Sequence, residues 1–147
     1  MGGQMNKEFQ DCLSSKRIRE FLKAKELVSK ELDQAESDYH YAEDSFKRDI
    51  YKWSTIQSYY SMFHSGRALL YAQGYRERSH YCLIVAMRSL YVEKGLLSHR
   101  LVESFQLGKT LRENADYYGD FSREAAAQML EDAQGLLEAA RKLTKAV

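Results

Sequence analysis

Proline is absent from all 147 residues, and nothing else in the chain limits its fold so sharply. About seven would be average at this length. Proline breaks helices by removing a donor and crowding the preceding turn, so its absence removes the commonest interruption. Apolar residues recur at helical spacing through most of the chain. Ile18, Phe21, Val28, Leu32, Ala35, Tyr39, Ala42 and Phe46 form a first stripe, broken at Lys25. That stripe predicts one helix over 14–47, on the order of 50 Å long. A second helix is expected over 52–73, closed by Gly74 as a C′ residue. Ser79 is an N-cap candidate for a third over 80–94, apolar nearly all round and therefore central. A fourth is expected over 98–117, turning at Gly119, and Ser122 caps a fifth. No segment alternates convincingly with period two. The reading is an all-α fold, a four- to five-helix up-and-down antiparallel bundle with short connections. Residues 1–13 are left as an N-terminal tail, and 14–147 as a single helical domain.

Charge and composition narrow the function classes. Lys and Arg total 22 against 21 Asp and Glu, a net charge of +1, so no global field marks a polyanion binder. A hydrophobic content of 44% with 29% charged residues excludes a disordered chain. No run approaches the ~20 apolar residues of a membrane span. The start MGGQMNKEF lacks a signal-peptide core, and Asn6 stands where a myristoylation signal has Ser or Thr. Cys12 and Cys82 form no CxxC pair and no disulfide framework, which predicts a reducing, cytoplasmic location. Local charge is uneven. Residues 31–49 and 110–138 each hold seven acids and two bases, whereas 50–102 holds seven bases and two acids. Either this basic island pairs with the acidic helices or it faces phosphate.

The sharp catalytic signatures are missing: no GxxxxGK, GxGxxG, GxSxG or HExxH. A lone Glu77-x-x-His80 unit lacks the further carboxylates of a metal bundle, so neither metal nor cofactor is expected. On the second helix, Trp53, Tyr60, His64, Arg67 and Tyr71 share one face. A His and an Arg among aromatics are costly unless paired or wet. They are therefore either structural or a site where His64 and Arg67 meet phosphate while tyrosines stack on a base. On the fourth helix Arg112 points into the inward stripe of Leu101, Phe105, Gly108 and Ala115, with Asp116 one turn on. That Arg is either paired with Asp116 or kept for phosphate contact.

The block Tyr59-Tyr60-Ser61-Met62-Phe63-His64-Ser65-Gly66-Arg67-Ala68-Leu69-Leu70 is followed by Ser79-His80 and Lys94-Gly95-Leu96-Leu97. Arg112-Glu113-Asn114-Ala115-Asp116-Tyr117 comes next. Together these resemble the HEPN family, the higher-eukaryote and prokaryote nucleotide-binding domain, in its small stand-alone prokaryotic branch, over residues 14–144. The resemblance implies a helical bundle, a homodimer, and a minimal nucleotidyltransferase as partner in a toxin–antitoxin or stress module. Active relatives are metal-independent ribonucleases using an R-x(4–6)-H motif. The matching arginine here is Arg112, and 113–118 contains no His. The expectation is therefore a nucleotide- or RNA-binding protein leaning towards no catalysis. Arg112 and His64 are the catalytic candidates, and Arg67, Tyr60, His80, Asn114, Asp116 and Tyr117 would hold the ligand. One alternative is an active endoribonuclease in which His64 or His80 replaces the missing base. The other is a non-catalytic helical interaction module.

Overall fold

The computed structural model describes residues 6–145. Residues 1–5 of the expected tail lie outside them. The elements in chain order are α1 (Lys7–Ser14), β1 (Ile18–Glu20), a 3-10 segment (Leu22–Leu27), α2 (Val28–Lys47), α3 (Tyr51–Ala72), β2 (Tyr75–Glu77), α4 (His80–Met87), a π turn (Arg88–Val92), α5 (His99–Tyr118) and α6 (Arg123–Leu143). The all-α class is correct, with six helices and one two-stranded ribbon among the described residues.

Helix α3 is the axis, with α2, α4, α5 and α6 packed around it. It can take neighbours on several sides because its surface is small as well as apolar. Ser54 and Ser61, seven residues apart and fully buried, face Ala42 and Ala35 of antiparallel α2. Their hydroxyls each donate to the opposing alanine carbonyl at 2.8 Å. Two turns of small residues on each helix let the backbones approach, and the hydroxyls stay satisfied as burial requires. On the α4 side Gly66 does the same: a Cβ there would lie 2.9 Å from Met87 Sδ. The core is continued by Met62, Leu69, Leu83, Phe105, Met129 and Leu136, all essentially inaccessible to solvent.

Three expectations are corrected. The 14–47 helix does not exist as one piece. Residues 18–20 leave the helical path because their backbone pairs with 75–77, a partner 57 residues away that local spacing cannot reveal. Helix α2 spans 20 residues, about 30 Å, in place of the roughly 50 Å expected for 14–47. The 1–13 tail is likewise mostly structure. The Asn6 side chain caps α1 by accepting from the Glu8 and Phe9 amides at 2.7 and 3.2 Å, and Phe9 and Cys12, one turn apart, are fully buried. Finally, Cys12 and Cys82 are not two lone thiols. They form a disulfide with Cα atoms 5.9 Å apart, joining α1 to α4, and the argument from cysteine usage to a reducing compartment falls with it. No helix among the described residues is long and apolar enough to cross a membrane.

Candidate functional site

The expected site residues divide into two groups along one face of α3. Tyr59, Phe63, Arg67 and Tyr71 follow each other at one-turn spacing and stack in a row. The Tyr59 and Phe63 rings are 6.5 Å apart, and the Arg67 guanidinium lies 5.3 Å from Phe63 and 5.2 Å from Tyr71. Phe63 therefore separates an Arg67 end from a Tyr59 end.

At the Arg67 end the chain pairs its own charges, although Arg67 Nε and Glu77 Oε1 are buried without a hydrogen bond. Arg67 Nε is 3.3 Å from Glu77 Oε2 of β2, and Nη1 is 3.7 Å from Glu31 Oε1 of α2. His64 Nδ1 meets the other oxygen of Glu31 at 2.6 Å, and its Nε2 is 3.8 Å from Asp38. Burial pushes the Glu77 and Asp38 carboxyls up, against the downward pull of Arg67 on one and His64 on the other. Three carboxylates close around one guanidinium and one imidazole, which leaves little positive potential for a phosphate. The acidic frame around the basic island acts here as its counterion.

The Tyr59 end is different. Arg112 of α5 lies over Tyr59 at 5.4 Å and over Tyr60 and Tyr117 at 5.8 Å each. Its one acid is Asp116, 3.6 Å from Nη1, and its Nε is buried without a hydrogen-bond partner. Burial opposes the cation, but the hydrogen bond to Tyr117 and the surrounding phenols together hold its pKa above the usual value. Tyr59 is buried, which pushes its phenol up to about 12 despite Arg112. Tyr60 and Tyr117 are 39% and 66% exposed, so the box presents ring surface to solvent.

His80, the first residue of α4, stands beside this box. Its ring stacks on Tyr59 at 5.9 Å and leans on Phe105 at 4.9 Å, and Nε2 is buried without a partner. Burial lowers its pKa to about 4, helped by Lys109 and Arg112 and opposed by Glu113. The imidazole is neutral at pH 7. Ser79 fixes this position by capping α4, its Oγ accepting from the Cys82 amide at 3.1 Å.

Arg112, Tyr60, Asp116, Tyr117 and His80 are thus brought together, while His64 and Arg67 lie a ring away in a closed network. Asn114 contributes backbone, its carbonyl accepting from Asp120 at 3.0 Å and from Gly119, whose φ of 62° ends α5. Sequence reasoning missed Tyr59, Lys109 and Glu113. Tyr59 was quoted only as part of the 59–70 block; it is buried, and its neighbour Tyr60 is the one on the surface. It also missed Asp132, buried at a groove of about 870 Å³ between α5 and α6. Asp132 accepts from Arg100 at 2.8 Å, Ser104 at 2.5 Å and Gln128 at 3.1 Å, a closed set.

The chain is thus a bundle wrapped on one central helix, with an arginine–tyrosine box at the junction of α3, α4 and α5. The chain belongs to the HEPN domain family, whose model matches residues 28–143; α1 and β1 precede the matched part. Among its relatives is a Methanocaldococcus jannaschii protein named "Putative toxin", 25% identical over 137 residues, which is 92% of this chain and 98% of that protein. A "UPF0332 protein" of Archaeoglobus fulgidus is 29% identical over 105 residues, 68% of this chain and 81% of the relative.

Proposed function

We propose that this chain is the toxin-like HEPN component of a toxin–antitoxin or stress module and holds the phosphate of a nucleotide or RNA at Arg112. The observation that carries the reading is the contrast between the two arginines. Arg67 faces two carboxylates from other elements, Glu31 and Glu77, whereas Arg112 meets one, Asp116 of its own helix, and lies against two solvent-facing tyrosines. A guanidinium fork suits phosphate oxygens, and the tyrosine faces suit a base. The name of the M. jannaschii relative supports the toxin-like role. A minimal nucleotidyltransferase and a second copy of the chain are the protein partners in this reading.

Binding of AMP and of an unstructured RNA oligonucleotide, measured at low and high salt, tests this. Arg112→Ala should weaken binding roughly tenfold or more, the worth of one charge-assisted hydrogen bond. Arg141→Ala should not, because Arg141 pairs with Glu36 at 2.7 Å on another face. Equal affinity in wild type and Arg112→Ala refutes the site.

One observation favours a second reading, an endoribonuclease: His80 and Arg112 share the Tyr59 ring. With a pKa of about 4 His80 is a weak base at neutral pH. A bound phosphate beside it would offset Lys109 and Arg112 and raise that value. Cleavage of RNA in EDTA that is lost in both Arg112→Ala and His80→Ala would establish this reading. Uncleaved RNA would leave binding alone.

A further inference from the structure

The two short strands are the part of the fold that a helical bundle does not require. Their sequences alternate: Arg17-Ile18-Arg19 on one side and Arg76-Glu77-Arg78 on the other. In an antiparallel pair, opposed residues share a face and successive residues alternate. The register opposes Ile18 to Glu77 and Arg19 to Arg76, and the Arg78 amide donates to the Arg17 carbonyl at 2.7 Å. Ile18 is 1% exposed and Glu77 turns inward to Arg67. The outer face therefore consists of Arg17, Arg19, Arg76 and Arg78, all exposed, in two like-charge pairs.

Like charges directly opposed across a strand pair destabilise it. The nearby acids do not relieve them. Glu77 is committed to Arg67, Glu8 accepts from the Tyr81 hydroxyl at 2.6 Å, and Glu20, opposed to Tyr75, is exposed and forms no ion pair with the four arginines among the described residues. The side chains of Arg19 and Arg78 make no hydrogen bond, ion pair or ring contact among the described residues. The other two are positioned without being neutralised. Arg76 lies over Phe21 at 5.5 Å, and Arg17 lies over Tyr81 at 5.8 Å with its Nε donating to Ser15 Oγ at 2.8 Å. Lys16, in the left-handed conformation (φ 61°) at the turn into β1, adds a fifth exposed cation. A hollow of about 440 Å³ lies among Arg19, Glu20, Phe21, Arg76, Glu77 and Arg78, three cations against two carboxylates of which Glu77 is paired with Arg67.

We propose that this arginine face binds the phosphodiester backbone of single-stranded RNA. Arginines two residues apart on a strand leave the backbone about 6.6 Å apart, from a rise of ~3.3 Å per residue, comparable with successive phosphates on an extended strand. Planar forks match phosphate oxygens, and the Phe21 and Tyr81 rings on either side offer stacking surfaces that any base can use. β2 runs directly into α4, whose first residue His80 adjoins the Arg112 box, so a strand held on the ribbon is led towards that box. The choice of RNA rests on the proposed function, but the residues are separate from those of the Arg112 site.

The test compares wild type, Arg19→Ala/Arg78→Ala and Arg112→Ala for binding of an unstructured RNA oligonucleotide, AMP and phosphatidylserine vesicles. In the double variant, RNA affinity should fall at least roughly tenfold. The slope of log affinity against log salt should flatten by roughly 1.4, at about 0.7 per phosphate contact on a single strand. AMP affinity should not change, and the melting temperature should hold or rise because one arginine of each like-charge pair is removed. Wild-type affinity and slope in the double variant overturn the proposal, whatever Arg112→Ala does. So does a wild type that binds vesicles but not RNA, or binds neither. Loss in the double variant with none in Arg112→Ala upholds the ribbon and refutes the Arg112 site.

Discussion

Reducing the Cys12–Cys82 disulfide should destabilise the fold by about 4 kcal/mol. The two cysteines are 70 residues apart in sequence. Closing a loop of that length removes about 15 cal/mol/K of entropy from the denatured chain, or about 4 kcal/mol at 25 °C. Both sulfurs sit in the core at 0% exposure, so reduction leaves two thiols in place and removes little native packing. The effect falls chiefly on the denatured state, and α1 is the element released. Apart from the disulfide, α1 is held by Phe9, whose ring meets Tyr75 edge-on at 5.5 Å, and by surface contacts such as Asn6 to Glu93 at 3.0 Å. With a urea m-value of about 2 kcal/mol/M, the unfolding midpoint should fall by about 2 M. The assay is urea unfolding followed by circular dichroism, on air-oxidised protein with and without a phosphine reductant. Two free thiols counted in the unreduced, denatured protein would remove the premise. Midpoints agreeing within a few tenths of a molar would refute the loop-entropy argument.

Two further outcomes follow from the buried charges. His80 titrates at about 4 in the fold against 6.5 in the unfolded chain, so between those values only the unfolded state binds its proton. Stability should therefore rise as pH rises from about 4 to about 6.5. Glu77 and Asp38, raised by burial, act in the opposite sense, so the measurement is the difference in melting temperature between wild type and His80→Phe; a difference independent of pH would refute it. Arg67→Met strands Glu31 and Glu77 without their guanidinium and should cost about 3 kcal/mol in urea unfolding, largely restored by adding Glu77→Gln. A loss below about 1 kcal/mol would mean that water, not Arg67, satisfies those carboxylates.

The pattern of spacing and caps was enough for α3, α5 and α6. The expected spans 52–73 and 98–117 are observed as Tyr51–Ala72 and His99–Tyr118, and Ser122 caps α6, its Oγ accepting from the Ala125 amide at 3.0 Å. These are local properties: apolar period, a hydroxyl at the N-cap, a glycine at φ > 0. The Arg112 box was partly legible: Arg112 in an apolar stripe, Tyr60 and Tyr117 were visible in the sequence, while the buried Tyr59 ring between Arg112 and His80 was not.

What the chain alone determined is its helical class, the family to which its motifs belong and the oddity of Arg67, His64 and Arg112. Tertiary structure decided everything that depends on a partner far away in sequence. The first helix was cut because residues 18–20 pair with 75–77. Cys12 found Cys82 because α1 packs on α4. The two arginines looked alike from their own helices and were separated by what faces them: Glu31 and Glu77 close over Arg67, while tyrosine rings frame Arg112. The reason is physical. Helix periodicity is set by contacts three or four residues apart, whereas the state of a buried charge or thiol is set by groups a few ångströms away on another element.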